Sequence, residues 1–140
     1  FKKPIVRTIA AISLGAVLGA LSRHYLGLEI ADSLGIEKPY GTLIINLTGC
    51  FGMGFLTVLS LAPMIRVHPD IRLLLITGFL GSYTTFSSYE LDSAKLLESH
   101  PFESDLFYWM GSAVFGLISL QLGSVLAEWL LSKLGRNFSG

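Results

Sequence analysis

Charge is scarce in this chain of 140 residues. Asp, Glu, Lys and Arg make up 14% of it, where an ordinary soluble domain carries roughly a quarter. The ten basic and ten acidic residues also cancel. That balance excludes the basic face of a nucleic-acid binder and an acidic disordered tail. Cysteine is nearly missing: Cys50 alone excludes an intramolecular disulfide framework and a thiolate cluster. The three histidines, His24, His68 and His100, have no metal-ligand spacing. No Ser, Thr or Tyr stands near a plausible base and oxyanion site in the sequence, so no catalytic constellation is expected and the chain reads as no enzyme. What is abundant is apolar side chain, 51% of the residues, with a mean hydropathy of +0.62. A soluble domain this small has no core large enough for it, and the composition points to a membrane protein.

Runs without charge mark the spans. They cover Thr8 to Ser22 with apolar continuation to Leu28, then Pro39 to Ile65, Leu73 to Tyr89 and Leu106 to Ala127. A crossing helix needs about 17–25 mainly apolar residues. The expectation is an all-α integral membrane protein, one domain over 1–140 with four helices near 8–28, 41–62, 72–98 and 105–132. Pro39, Pro63, Pro69 and Pro101 are expected in the connections, where a missing N–H costs least. FKKPIVR is expected not to be a signal peptide, since no small-residue cleavage site follows and three more spans do. Small residues form stripes: Ala11, Gly15, Gly19 and Ser22 on the first helix; Thr42, Asn46, Gly49, Met53 and Thr57 on the second; Tyr108, Ser112, Gly116, Ser119 and Gly123 on the fourth. Stripes of this kind are usually packing seams between membrane helices. Their polar members make the second and fourth helices the candidates for lining a path.

The third span carries the strongest local signal, Gly78-Phe79-Leu80-Gly81-Ser82-Tyr83-Thr84-Thr85-Phe86-Ser87-Ser88-Tyr89. Gly weakens a helix by about 1 kcal/mol relative to Ala, and Ser and Thr offer the backbone competing hydrogen bonds. A break is expected near Gly81 to Thr84. Interrupted backbone at membrane depth survives only when buried in protein or lining a cavity, often around an ion. Beyond the break, Phe86 and Tyr89 are three apart and share a face, where positive ring edges suit an anion. Asn46 is the one carboxamide deep in the second span, and its unpaired burial costs roughly 1–3 kcal/mol; it faces either another helix or a water path. Arg23, near the end of the first span, reads as a snorkelling side chain or as a vestibule charge that concentrates anions. No Asp or Glu lies deep in a span, although such carboxylates mark proton- or cation-coupled transport. Hydroxyl, amide and ring-edge donors without carboxylates favour an anion path. Trp109 and Trp129 read as interface anchors.

The pattern resembles the Fluc (CrcB) fluoride channels. The resemblance is carried by Gly15-Ala16-x-x-Gly19-Ala20-x-x-Arg23, by Gly41-Thr42-Leu43-x-x-Asn46-x-x-Gly49-Cys50-Phe51-x-x-Gly54, and by Gly78-Phe79-x-Gly81-x-x-Thr84-Thr85-Phe86-Ser87. It covers the first three spans in order, and the fourth fits by length. It implies an antiparallel dimer of four-helix subunits with two fluoride pores, a fluoride-resistance role and export of cytoplasmic fluoride. It also implies a structural Na+ at the dimer centre, held by the backbone carbonyls of Gly81 and Thr84. The implied pore residues are Asn46, Phe86, Tyr89, Tyr108 and Ser112, with Thr85, Ser87 and Ser88 as a hydroxyl track and Arg23 in the vestibule. Two positions depart from the family pattern: Tyr89 stands where Phe is common, and Asp92 where Glu is usual.

Two other classes are weaker. A small proton-coupled exporter needs a carboxylate in its first helix, and this one has none. A non-transporting subunit suits the glycine seams but leaves the broken third helix unexplained. The expected location is the inner (plasma) membrane, crossed several times. Resolved by membrane side, the zero net charge becomes a dipole. Lys2, Lys3, Arg7, Arg66, Arg72, Lys133 and Arg136 face only Asp70 and Glu128 on the side of both termini, while three basic residues stand with eight acidic ones on the other. The positive-inside rule then puts both termini in the cytoplasm. A bias this strong leaves the dimer partner open between a second copy of the chain and an opposite-facing paralogue, since a dual-topology chain is expected to show less of it.

Overall fold

The computed structural model describes residues 2–36, 38–85, 98 and 102–138. They are helical almost throughout. Helix α1 spans Lys2–Leu34 and α2 spans Lys38–Leu61. The next rod is built from three pieces in sequence: α3 (Pro69–Arg72), a π-helix (Leu73–Leu80) and α4 (Gly81–Tyr83). Helix α5 spans Phe102–Phe138.

The helix ends follow local chemistry. Leu34 is followed by Gly35 at φ +64°, the left-handed geometry that glycine adopts without a Cβ penalty. Gly35 N–H donates to Asp32 O at 3.3 Å and Ile36 N–H to Ala31 O at 3.1 Å, the paired bonds that close a helix C-terminus. Two of the prolines expected in connections instead open helices: Pro39 lies in the first turn of α2 and Pro69 begins α3. Neither position has an intrahelical acceptor for the N–H that proline lacks. His68 caps α3, its Nδ1 accepting from Asp70 N–H at 3.1 Å, and an Arg7–Asp70 ion pair ties this end of the rod to α1.

Glycines let the helices approach closely. A Cβ on Gly19 would sit 2.2 Å from Phe79 O, and one on Gly15 would sit 2.1 Å from Leu74 O, so the stripe on α1 is the seam against the π-helix. The π turns present these carbonyls toward α1, a winding that the residue pattern did not signal. Helices α2 and α5 pack the same way: Gly54 lies against Leu120 O and Gly123 against Phe51 O, each 2.1 Å from a notional Cβ. Ser119 Oγ donates to Leu47 O at 2.8 Å across the same seam. Helix α1 also packs on α2, and α4 touches both.

Among the described residues, three helices are long and apolar enough to cross a membrane, within Pro4–Leu34, Tyr40–Leu61 and Leu106–Arg136. Their outer faces are apolar, with Val17 57%, Phe107 70% and Leu117 71% exposed. Water would penalise such surfaces, whereas lipid is their natural solvent. Lys133 Nζ lies 4.0 Å from the centre of the Trp129 ring, an amphipathic pairing suited to the headgroup region.

Candidate functional site: a cavity at the end of the third rod

The helical course of the third rod ends where the glycine and hydroxyl residues cluster. Thr84, the residue after α4, is extended (φ −81°, ψ 144°). The expected break at Gly81 to Thr84 coincides with this departure. Residues 86–97 lie outside the described residues, and with them Phe86, Ser87, Ser88, Tyr89 and Asp92.

Neighbouring helices supply what the ended helix lacks. Thr84 folds back on its own turn, both its N–H (3.0 Å) and its Oγ1 (2.9 Å) donating to Leu80 O. Thr85 N–H donates to Asn46 Oδ1 at 3.0 Å, and Asn46 Nδ2 donates to Thr85 O at 3.2 Å. The Asn46 carboxamide therefore pairs with both main-chain groups of one residue, as a neighbouring strand would. Arg23 Nη1 donates to Ser82 O at 3.0 Å; a cation there also complements the negative end of the helix. Tyr83 Oη is 3.0 Å from Thr48 Oγ1. Gly49 makes room for the crossing, since a Cβ there would meet Thr84 Cγ2 at 2.1 Å.

Against this crossing lies a cavity of about 340 Å³. Its wall is mostly apolar, Leu117 and Leu120 included, and Asn46, Cys50, Thr84, Thr85 and Ser112 set a few polar groups in it. Among the described residues that line it there is no carboxylate, Lys or Arg. Ser112 Oγ is buried with no hydrogen-bond partner among the described residues. Such a group costs about 1–3 kcal/mol unless something occupies the space in front of it. Asn46 keeps one amide N–H beyond the bond to Thr85, because a carboxamide nitrogen carries two.

The structure thus brings Asn46, Thr84, Thr85 and Ser112 to one cavity. Arg23 lies beside it on the helix end. Gly81 is on the exposed side of the rod. Tyr108, one turn before Ser112, is 1% exposed and packs edge-on against Tyr40 with ring centres 6.1 Å apart; it is not among the lining residues. Cys50 was not singled out as a site residue. It lies four residues after Asn46 and so on the same helix face, a spacing that could have placed it there.

These features define a class: a multi-pass α-helical protein of the plasma membrane, with a largely apolar cavity at a helix end that carries a few uncharged polar groups among the described residues. Among the described residues no group of three or more His, Cys, Asp or Glu could hold a metal ion. The chain belongs to the family described as CrcB-like protein, Camphor Resistance (CrcB), whose model matches residues 10–124. It is 48% identical over 134 residues to the "Fluoride-specific ion channel FluC" of Trichormus variabilis, covering 96% of this chain and 98% of that protein. It is 52% identical over 126 residues to the protein of the same name from Synechococcus sp., covering 89% and 95%. A Chloroflexus aurantiacus protein, also so named, is 42% identical over 124 residues, covering 89% and 98%. The family is one of transport proteins and not of enzymes.

Proposed function

We propose that this chain is a fluoride-selective passive channel that lets cytoplasmic fluoride leave the cell. The observation that carries the reading is a cavity whose described lining sets a few hydrogen-bond donors and no carboxylate in an apolar wall, with Asn46 and the Ser112 hydroxyl, unpartnered among the described residues, both lining it. Fluoride is small and strongly hydrated, so a path that admits it must replace water by donors while binding loosely enough to release it. Hydroxyl and amide donors do this without a fixed charge that would trap the ion. Phe86 and Tyr89 would continue the path with positive ring edges, Thr85, Ser87 and Ser88 with hydroxyls, and Tyr108 with its phenol. Arg23 would raise the anion concentration at the mouth.

The third rod and the residues after it would complete a four-span subunit, and two subunits in antiparallel arrangement would give two pores. A structural Na+ fits the donor set at the interruption. Leu80 O, Ser82 O and Thr85 O are all engaged by side chains or backbone, whereas Thr85 N–H is diverted from Gly81 O and Thr84 lies beyond the helix end. The carbonyls of Gly81 and Thr84, one pair from each subunit, are hard oxygen ligands suited to an alkali cation. Such an ion would staple the two helix breaks together.

The reading is tested in a fluoride-sensitive bacterium lacking its own exporter. The chain is expected to restore growth in fluoride, and the Ser112→Ala variant to restore it poorly. Growth no better than the empty host, with the chain present in the membrane, would refute the proposal.

A further inference from the structure

An α-helix that continued through Thr85 would send Thr85 N–H to Gly81 O, four residues back. It would offer Ser82 O to residue 86 in the same way. The first bond is replaced by a side chain of another helix, and Ser82 O accepts from a second one. Asn46 Oδ1 takes Thr85 N–H at 3.0 Å, and Arg23 Nη1 takes Ser82 O at 3.0 Å. The Asn46 contact is reciprocal, because its Nδ2 also holds Thr85 O at 3.2 Å. The residues around the interruption would tolerate a helix: Gly81 has helical angles (φ −61°, ψ −30°), and neither Thr84 nor Thr85 is a proline.

We infer that Asn46 is a positioning residue for the interruption itself: by substituting for Gly81 O as the acceptor of Thr85 N–H, it keeps the third helix from closing and leaves the Gly81 carbonyl available to a ligand. The carboxamide then has two tasks. Oδ1 and one N–H hold the Thr85 peptide, and the second N–H remains for the cavity that Asn46 lines. The physical cause is competition between two acceptors of similar strength for one buried N–H. The side chain wins because it satisfies the Thr85 carbonyl in the same contact, which an intrahelical bond to Gly81 does not. Arg23 adds a bond from α1 to Ser82 O on the same turn. The geometry of the break is therefore encoded in α1 and α2 as well as in the third rod.

The consequence for a cation rests on the Na+ reading above, and the test separates the two. Gly-Ser pairs occur only at Gly81-Ser82, Gly111-Ser112 and Gly123-Ser124. Full-length chain labelled with carbonyl-13C glycine and 15N serine therefore gives three NMR cross-peaks. In Na+-free buffer the Gly81 carbonyl is expected upfield of the two α5 glycines, as a carbonyl without a helical hydrogen bond. In Asn46→Leu it is expected to move downfield into their range, while the other two peaks stay put and report an intact fold. A wild-type Gly81 resonance already in the helical range overturns the inference without any variant. So does an Asn46→Leu resonance that does not move. Adding Na+ to the wild type is expected to shift Gly81 and not Gly123. A Gly81 signal that answers to Asn46→Leu but not to Na+ supports the clamp and removes the cation from the proposed function.

Discussion

At the scale of single residues, the cavity turns on two side chains with opposite situations. Asn46 is engaged by the Thr85 peptide, and Ser112 Oγ is engaged by nothing described. An orphaned hydroxyl is a liability in a folded protein and an asset in a path for a dehydrating anion. Ser112→Ala is therefore expected to raise thermal stability or leave it unchanged, by up to about 1 kcal/mol, while lowering fluoride flux about tenfold or more. Melting in detergent alongside flux from vesicles checks both halves. Asn46→Asp, in contrast, is expected to suppress flux by placing a negative charge in the anion's way; flux at the wild-type rate would take Asn46 out of the path. Asn46 was legible in the sequence because a lone buried amide must find partners. Its partner was not, since a pairing 39 positions away is a fact of packing. The same holds for Arg23: its snorkelling and vestibule readings both overlooked the Ser82 carbonyl, which becomes an acceptor only once the helix ends.

At the scale of elements, the spacing of small residues was readable and its targets were not. The stripe Gly15–Gly19 implied a close neighbour, and that neighbour is the π-helix, whose leaning carbonyls no residue pattern announced. The helix end at Tyr83 was legible because glycine and hydroxyl residues weaken a helix at a defined place. Pro39 and Pro69, expected in connections, occupy first turns that need no N–H. Packing makes a graded prediction for α2. Gly54→Ala would drive a methyl group to 2.1 Å from Leu120 O and is expected to destabilise the α2–α5 pair by about 3 kcal/mol or abolish folding. Gly52→Ala meets Leu80 Cδ2 only at 3.5 Å and is expected to be neutral or slightly stabilising, because alanine favours helix by about 1 kcal/mol. Unfolding midpoints of the two variants, measured side by side, decide whether the seam or general glycine content matters.

At the scale of the whole molecule, composition alone placed the chain in a membrane, and the exposed apolar faces of α1 and α5 agree with that placement. Partner and orientation belong to a scale that one chain's packing does not reach. The charge asymmetry speaks to it: the basic ends of α1 and α5, with Arg7 paired to Asp70 at the start of α3, lie together on the side of both termini. The expectation is that most copies insert with both termini in the cytoplasm. Labelling of a cysteine introduced near the C-terminus, in a Cys50→Ala background, reads this directly. A majority in one orientation favours an opposite-facing paralogue as partner; equal populations favour a dual-topology dimer of one chain.

The central claim is passive, fluoride-selective conduction by this chain, and the most direct measurement is ion efflux from liposomes that contain it alone. With fluoride or chloride inside, a potassium ionophore to carry the compensating charge and no pH gradient, fluoride is expected to leave rapidly while chloride is retained. Fluoride retained under those conditions, released only with a proton gradient, or released no faster than chloride would contradict the account.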